Sequence, residues 1–335
     1  MKRNQVMLCI IVATVLPSAL FAAEDAPVRL LLKWQPGQTL RYKLDLTSTA
    51  HAQGQQVEMG IEAEVVLRVL DTVEASLEQR TDVDSETVSA PSGETLSSGE
   101  EVMDLELIHY PVTTRMRGEG QRITVTVGKN DVSASVNGRS LSGYQLRQLR
   151  NEMKPLQDVL NSPIRLRMTR SGQIVRVSGL DDLDPETRRQ MAMSYFESFR
   201  LPTTPLRIGE HYLTNRNLDT LAPGQNRSVE ISSTLKGVQK NRLGRPIAQL
   251  HTPVKLTLDD VTLDEEGTRG AMDLDVVSTL AFDVDRGTFN EEITKGKMVM
   301  RPRSGSGLPG TVTVDLNASF VLVEMTEPKN LAQNR

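Results

Sequence analysis

The stretch PIRLRMTRSGQIVRVSGLDDLDPETRRQMAMSYFESFRLPTTPLRIGEHYL, Pro163 to Leu213, decides how the chain is read. Ile164, Leu166 and Met168 alternate with Arg165, Arg167 and Thr169, the two-residue period of a half-buried strand. Arg170-Ser171-Gly172 supplies a tight turn, and Gln173 to Val177 returns as a second strand that Gly179 ends. Asp184 is a good N-cap, Pro185 suits the first helical position, and Glu186 favours the positive end of the helix dipole. Met191, Ala192, Tyr195, Phe196 and Phe199 then fall on one helical stripe. Leu201-Pro202 and Thr204-Pro205 stop the helix, and Gly209 to Tyr212 opens a new strand. The stretch is therefore read as a hinge between two similar halves.

Outward from that hinge, both halves read as antiparallel β. On the N-terminal side, Leu40, Tyr42, Leu44 and Leu46 alternate with polar residues, and Gly54 marks a turn. Val57, Met59, Ile61, Ala63, Val65, Leu67 and Val69 then hold one face of a long strand whose other face carries Glu58, Glu62, Glu64 and Arg68. Thr72 to Arg80 is expected to pair back onto it, and Ser85 to Glu101 to be an exposed, mobile loop. Met103, Leu105 and Leu107 start another strand. Ile123 to Val127 and Val132 to Val136 form a hairpin around Gly128 to Asp131. Ser142 to Leu160 has helical spacing, with a kink expected at Pro155. On the C-terminal side, strands are read at Ser228 to Gln239, Ile247 to Leu258, Ala271 to Val284, Thr288 to Ile293 and Val312 to Leu322.

The order strand, glycine turn, long strand occurs after Pro36-Gly37 and again after Ile208-Gly209, an approximate duplication. The fold class expected is mainly β (α+β): two related antiparallel half-barrel-like sheets with a few amphipathic helices packed against them. The organisation expected is a signal peptide at residues 1–23, an N-terminal β half at 24–200, a C-terminal β half at 201–328, and a disordered tail at 329–335.

Composition sets the compartment. Lys2 and Arg3 precede an apolar run from Val6 to Leu16 that is too short to span a bilayer, and Leu20 to Ala23 offers small residues for cleavage. An uncleaved anchor is the alternative. Cys9, the single cysteine, lies inside this leader, so the mature chain is expected to have no disulfide, thiol nucleophile or cysteine metal site. A cysteine-free exported chain suits a bacterial periplasm or outer envelope. The formal charge of −4, more negative once Lys2 and Arg3 are lost, argues against nucleic acid as a partner.

Motifs for chemistry are sparse. His51, His109, His211 and His251 show no metal-ligand spacing. There is no nucleophile elbow, Walker motif or GxGxxG. Asp259, Asp260, Asp264, Glu265 and Glu266 flank a predicted turn. Asp283, Asp285 and Gly287 resemble the start of a calcium loop, but the spacing fails after Gly287, and a solvated turn is the plainer reading. Arg165, Arg167, Arg170 and Arg176 share one hairpin, either as a solvated face balanced by Asp181 to Asp184 or as a patch for an anionic partner.

The chain resembles the secreted bacterial domain-of-unknown-function family DUF6263. Leu32 to Tyr42 matches that family's L-x-x-G-x-x-x-x-Y opening, with small length differences. Gly172 to Asp181 matches G-x-I-x-x-V-x-G-L-D, and Pro202 to Tyr212 matches P-x-x-x-x-x-G-x-x-W with Tyr212 in place of the tryptophan. The resemblance covers most of the mature chain and implies no activity, cofactor or catalytic residue.

The function expected is non-enzymatic: an exported envelope protein that binds or scaffolds, carrying a lipid or other hydrophobic ligand in a concave sheet. Met191, Tyr195, Phe196 and Phe199 are its candidate ligand-binding residues. No catalytic, cofactor-binding or metal-binding residue, no cofactor, and no transmembrane segment after leader cleavage is expected. The alternatives are a structural or protein-interaction module of the cell envelope, with an envelope protein as partner, and an enzyme whose site is assembled from distant strands. A pocket holding His109, His211 or His251 beside a carboxylate would favour the enzyme.

Overall fold

The structure, a computed structural model, describes residues 26–74, 88–89, 101–181, 200–217, 228–263, 268–303 and 310–326. The leader, the predicted helix from Asp184 to Phe199, and the tail from Glu327 lie outside the described residues.

The N-terminal part holds β1 (Thr39–Ala52), β2 (Gln55–Glu74), β3 (Val88–Ser89), β4 (Glu101–His109), β5 (Val112–Gly118), β6 (Gln121–Val127), β7 (Val132–Val136) and β8 (Arg139–Ser140). Two helices follow, α1 (Gly143–Glu152) and α2 (Lys154–Asn161), then β9 (Arg165–Thr169) and β10 (Ile174–Ser178). The C-terminal part holds β11 (His211–Asn217), β12 (Ser228–Lys240), β13 (Pro246–Thr262), β14 (Arg269–Asp283), β15 (Thr288–Pro302) and β16 (Val312–Met325). The chain is mainly β, and the strand pairs are antiparallel.

The described strands form one sheet in the order β11-β12-β13-β14-β15-β16-β1-β2-β4-β9-β10-β3. The strands of the N-terminal and C-terminal parts form two contiguous runs in this order, joined where β1 pairs with β16 over most of its length. A branch, β5-β6-β7-β8, leaves the main path at β2. Residues 57–62 of β2 pair with β5, and residues 65–74 pair with β4. Between β4 and β5 stands Pro111, which has no N–H to give to a ladder, so the sheet forks there. The helices cover the fork's shorter arm. Leu160 of α2 is buried against Val127 and Val132, with Leu149, Met153 and Leu156 packed around them.

Several local expectations are corrected. Thr72 to Glu74 do not turn back but continue β2 and pair with β4. Within the expected mobile loop, Val88 and Ser89 pair with β10 and Glu101 begins β4; the remainder lies outside the described residues. The helix breaks at Met153, two residues before Pro155. Proline lacks the N–H that an interior position needs but is tolerated in a first turn, so Pro155 opens α2 instead of bending one long helix. Asp259 and Asp260 do not flank a turn. They form a β-bulge inside β13, with Asp260 at φ +62° and its carboxylate held by Arg269 and Arg303. β15 runs on to Pro302, because Gly296, Met298 and Met300 continue the two-residue period between exposed Lys295 and Lys297.

A segment to which no structural element was assigned from the sequence holds the two flanks together. Residues 28–34 run extended across the sheet with Leu30, Leu32 and Trp34 fully buried. Val28 exchanges backbone hydrogen bonds with Leu206, Leu32 N–H donates to Arg170 O at 2.8 Å, and Lys33 N–H donates to Gly287 O at 3.2 Å. One side of this strap thus meets the β9–β10 turn and the other the β14–β15 turn. Its three buried side chains join a core that includes Met168, Ile174 and Val177 from one flank and Leu235, Leu250 and Phe282 from the other. Burial of each contributes about 1.5–3 kcal/mol. β11 and β3 end the strand order, so the sheet is not closed by strand pairing; the strap spans the two flanks instead.

A polar row crosses the inner face of the C-terminal block. Ser233 Oγ and Thr252 Oγ1 are 2.8 Å apart, and Ser278 Oγ donates to Glu292 at 2.6 Å. Beyond it a second, smaller core gathers Leu258, Val261 and Met272.

Candidate functional site

The fork and the strap together frame an apolar cavity of about 380 Å3. Its walls follow from register. Leu44 on β1 stands opposite both Ala63 on β2 and Phe320 on β16. On the next pair, Val65 stands opposite His109 and Leu67 opposite Leu107. Leu105 is opposite Leu166 of β9, and Met168 is opposite Ile174 of β10. All of these line the cavity, and Trp34 of the strap lines it as well. Trp34, Leu105, Met168 and Ile174 are buried, whereas Leu44, Ala63, Val65 and Val112 are half-buried and Tyr110 is exposed. The cavity therefore has a dry floor and a mouth beside the break at Pro111.

Two of the lining residues, Trp34 and His109, carry polar ring nitrogens. The indole N–H of Trp34 and Nε2 of His109 are buried, and among the described residues neither has a hydrogen-bond partner. An orphaned buried donor costs about 1–3 kcal/mol. Burial pushes the His109 pKa below the ordinary histidine value, and the positive charge of Lys129 adds to the shift. His109 is therefore neutral at neutral pH.

Glu64 also borders the cavity, but strand alternation turns its side chain away from Ala63 and Val65. Its carboxylate accepts from Arg41 Nε at 2.9 Å and Nη2 at 2.5 Å, and Arg41 also lies 5.4 Å above the Tyr110 ring. Tyr42, one strand in, stacks on Phe320 at 4.5 Å between centroids and donates to Phe289 O at 3.2 Å. Burial raises its pKa far above the ordinary tyrosine value, so it stays protonated.

The sequence-predicted residues are placed as follows. Met191, Tyr195, Phe196 and Phe199 lie outside the described residues. Of the histidines, only His109 reaches the cavity; His51 pairs with Asp315 at 3.5 Å, and His211 and His251 stand on β11 and β13. Asp283 is not on a solvated turn. It is buried at the end of β14, where Oδ1 accepts from Arg286 N and Oδ2 lies 3.4 Å from Arg245. Among the described residues, no group of three or more His, Cys, Asp or Glu side chains could hold a metal ion.

The arginine hairpin draws partners from β4; of the expected balancing run Asp181 to Asp184, residues 182–184 lie outside the described residues. Arg167 grips Asp104 with two hydrogen bonds of 2.7 and 2.8 Å, and Arg170 pairs with Glu101. A larger groove, about 500 Å3, lies over β1, β2, β5 and β6, but it is more polar than the cavity, and its Glu62 and Arg115 neutralise each other. Reading the sequence found the β4 strand through Met103, Leu105 and Leu107 but missed Trp34 and the cavity that β4 lines. The alternation Leu30, Leu32, Trp34 was the available signal for Trp34; nothing local marked the cavity.

No family model matches the chain, and no curated protein sequence matches it. Among solved structures, a lipovitellin structure concerned with lipid–protein interactions is similar at 10% identity and TM-score 0.46. That likeness covers 90% of this chain, which spans only 26% of the lipovitellin chain. A DUF1329 family protein from Desulfovibrio piger ATCC 29098 has 7% identity and TM-score 0.15, covering 88% of both chains. The COG4313 outer membrane channel from Pseudomonas putida F1 has 8% identity and TM-score 0.19, covering 89% of this chain and all of its own. No described helix is long and apolar enough to cross a membrane.

Proposed function

We propose that this is an exported, non-enzymatic protein of a bacterial envelope that carries a hydrophobic ligand in the cavity between β1, β2, β4, β9 and the strap. The observation that carries this reading is the cavity itself. A space of about 380 Å3 with aliphatic and aromatic walls lies within the size range of small-molecule sites, about 300–1,000 Å3. Filling it with more side chain would have been the stabilising choice for a purely structural core. The non-enzymatic part is supported by the engagement of Glu64 with Arg41, which leaves His109 without a carboxylate partner. Export is supported by the leader pattern at residues 1–23, and kinship with DUF6263 by the matches at Leu32–Tyr42, Gly172–Asp181 and Pro202–Tyr212.

Native mass spectrometry of the protein purified from its own envelope, followed by organic extraction, tests the reading. A discrete lipid-sized adduct is expected. A bare mass equal to the sequence, with no extractable ligand, would move the weight to an interaction module. The exposed Leu213 on β11, at the end of the strand order, favours that second reading.

A further inference from the structure

Several arginines of this sheet are held by a carboxylate on the adjacent strand: Arg41 by Glu64, Arg68 by Glu106, Arg115 by Glu62 and Arg301 by Asp273. Arg117 and Arg122 are not held in this way. Arg117 on β5 stands directly opposite Arg122 on β6, and among the described residues neither guanidinium has an ion-pair or hydrogen-bond partner. Direct opposition puts the two Cβ atoms about 4.5–5.5 Å apart, and like charges so placed destabilise a sheet. Glu58 of β2 lies opposite Arg117 on its other side, but its carboxylate accepts from Gln56 at 3.1 Å instead. Both arginines are exposed, and both line a groove of about 470 Å3 whose walls also include Thr124, Ser135 and Asn137. None of its described lining residues is acidic. Asn137 Oδ1 accepts from Arg122 N–H at 2.8 Å, which leaves the amide nitrogen as a further donor. By strand alternation, the row Glu58, Arg117, Arg122 projects from the face opposite to Ala63 and Val65, so this groove is separate from the apolar cavity.

We propose that this groove binds a phosphate group, either a free phosphate ion or the terminal phosphate of a larger molecule, through the guanidinium groups of Arg117 and Arg122. A dianion offsets both positive charges at once, and its tetrahedral oxygens can accept from two planar guanidinium forks. A carboxylate offsets only one of the two charges and has oxygens for one fork. The hydroxyls of Thr124 and Ser135 and the Asn137 amide offer donors to the remaining phosphate oxygens. Bound phosphate relieves the repulsion that the two arginines otherwise carry. The site stands on its own observations and does not rest on the hydrophobic-ligand reading.

The test is calorimetric titration of the full chain with inorganic phosphate and with acetate, at about pH 8, where phosphate is a dianion, and at fixed ionic strength. Phosphate is expected to bind with a Kd of about 1 mM or tighter, and acetate at least about tenfold more weakly. Arg117→Gln and Arg122→Gln should each weaken phosphate binding at least about tenfold. Neither should lower Tm, because each removes half of a repelling pair. Arg139→Gln removes the same charge from the same branch but outside the groove, and should change phosphate affinity by less than about twofold. Two further probes separate the sources of the phosphate. Binding of glycerol phosphate alone points to a soluble ligand, and Arg117-dependent binding to phosphatidylcholine vesicles containing phosphatidic acid points to a lipid head group. No binding of any of the three phosphates, binding no tighter than that of acetate, or equal losses in Arg139→Gln and Arg117→Gln overturns the proposal and leaves the cavity reading untouched.

Discussion

The guanidinium of Arg170, in the turn between β9 and β10, donates to the main-chain carbonyl of Trp34 at 2.7 Å. The same nitrogen lies 3.3 Å from Leu32 O and 3.0 Å from Met103 Sδ, and the other terminal nitrogen pairs with Glu101. One side chain thus fastens the strap to the N-terminal flank and holds the floor of the cavity.

Removing that fastener is expected to loosen the strap. Arg170→Ala should cost about 1.5–3 kcal/mol, the worth of charge-assisted hydrogen bonds at a half-buried site. Arg170→Lys should recover little, because an ammonium cannot serve the fork of partners that a planar guanidinium reaches. Urea midpoints of the three proteins check this; equal midpoints for wild type and Arg170→Ala would show that the strap holds without it.

The opposite side of the strap rests on Gly287, at φ +58°. A Cβ there would lie 2.4 Å from both Leu31 O and Lys33 N, backbone atoms with no room to yield. Gly287→Ala is expected to cost more than about 2 kcal/mol, combining left-handed strain with a backbone clash. Gly237→Ala, where a Cβ meets nothing within 4 Å and φ is ordinary, should change stability by no more than about 0.5 kcal/mol. Thermal unfolding of the pair measures the contrast.

His109 is expected to make stability fall on mild acidification. Its folded pKa is depressed, so below the ordinary value of about 6.5 the unfolded chain binds a proton that the folded chain refuses. The contribution is level above that pH and declines as pH falls from it toward the folded pKa. His109→Gln should therefore lose less stability than wild type between about pH 7.5 and about pH 5.5 in matched urea titrations. Parallel losses in the two proteins would show that His109 is not buried as a neutral ring.

The cavity can be filled or enlarged without touching its polar atoms. Ala63→Phe, at the half-buried mouth, should weaken binding of N-phenyl-1-naphthylamine at least about tenfold with little change in melting temperature. Leu105→Ala, on the dry floor, should cost about 2–5 kcal/mol through the enlarged void. Dye affinity and unfolding, measured on both, separate occupancy of the cavity from the integrity of its walls.

Much of the sheet was legible. The alternations at Leu40 to Leu46, Val57 to Val69 and Ile164 to Met168 recur as β1, β2 and β9 because each strand buries one face, and a period of two is what one buried face imposes. β5 was missed because Thr113, Thr114, Arg115 and Arg117 hide the period: that strand belongs to a branch with little core beneath it. The β13 bulge was missed because Asp259 and Asp260 look like turn residues, and only the pairing with β14 shows the strand continuing past them.

The sequence by itself determined the antiparallel β class and most strand positions, since these depend on neighbours two residues apart and on turns a few residues long. The cavity was decided by tertiary structure alone. Trp34 meets Arg170 and His109 meets Val65 only in the folded chain, and the cavity they line is set by register and by the fork at Pro111. No periodicity records a void, because a cavity is a property of what surrounds it in space and not of what precedes it in the chain.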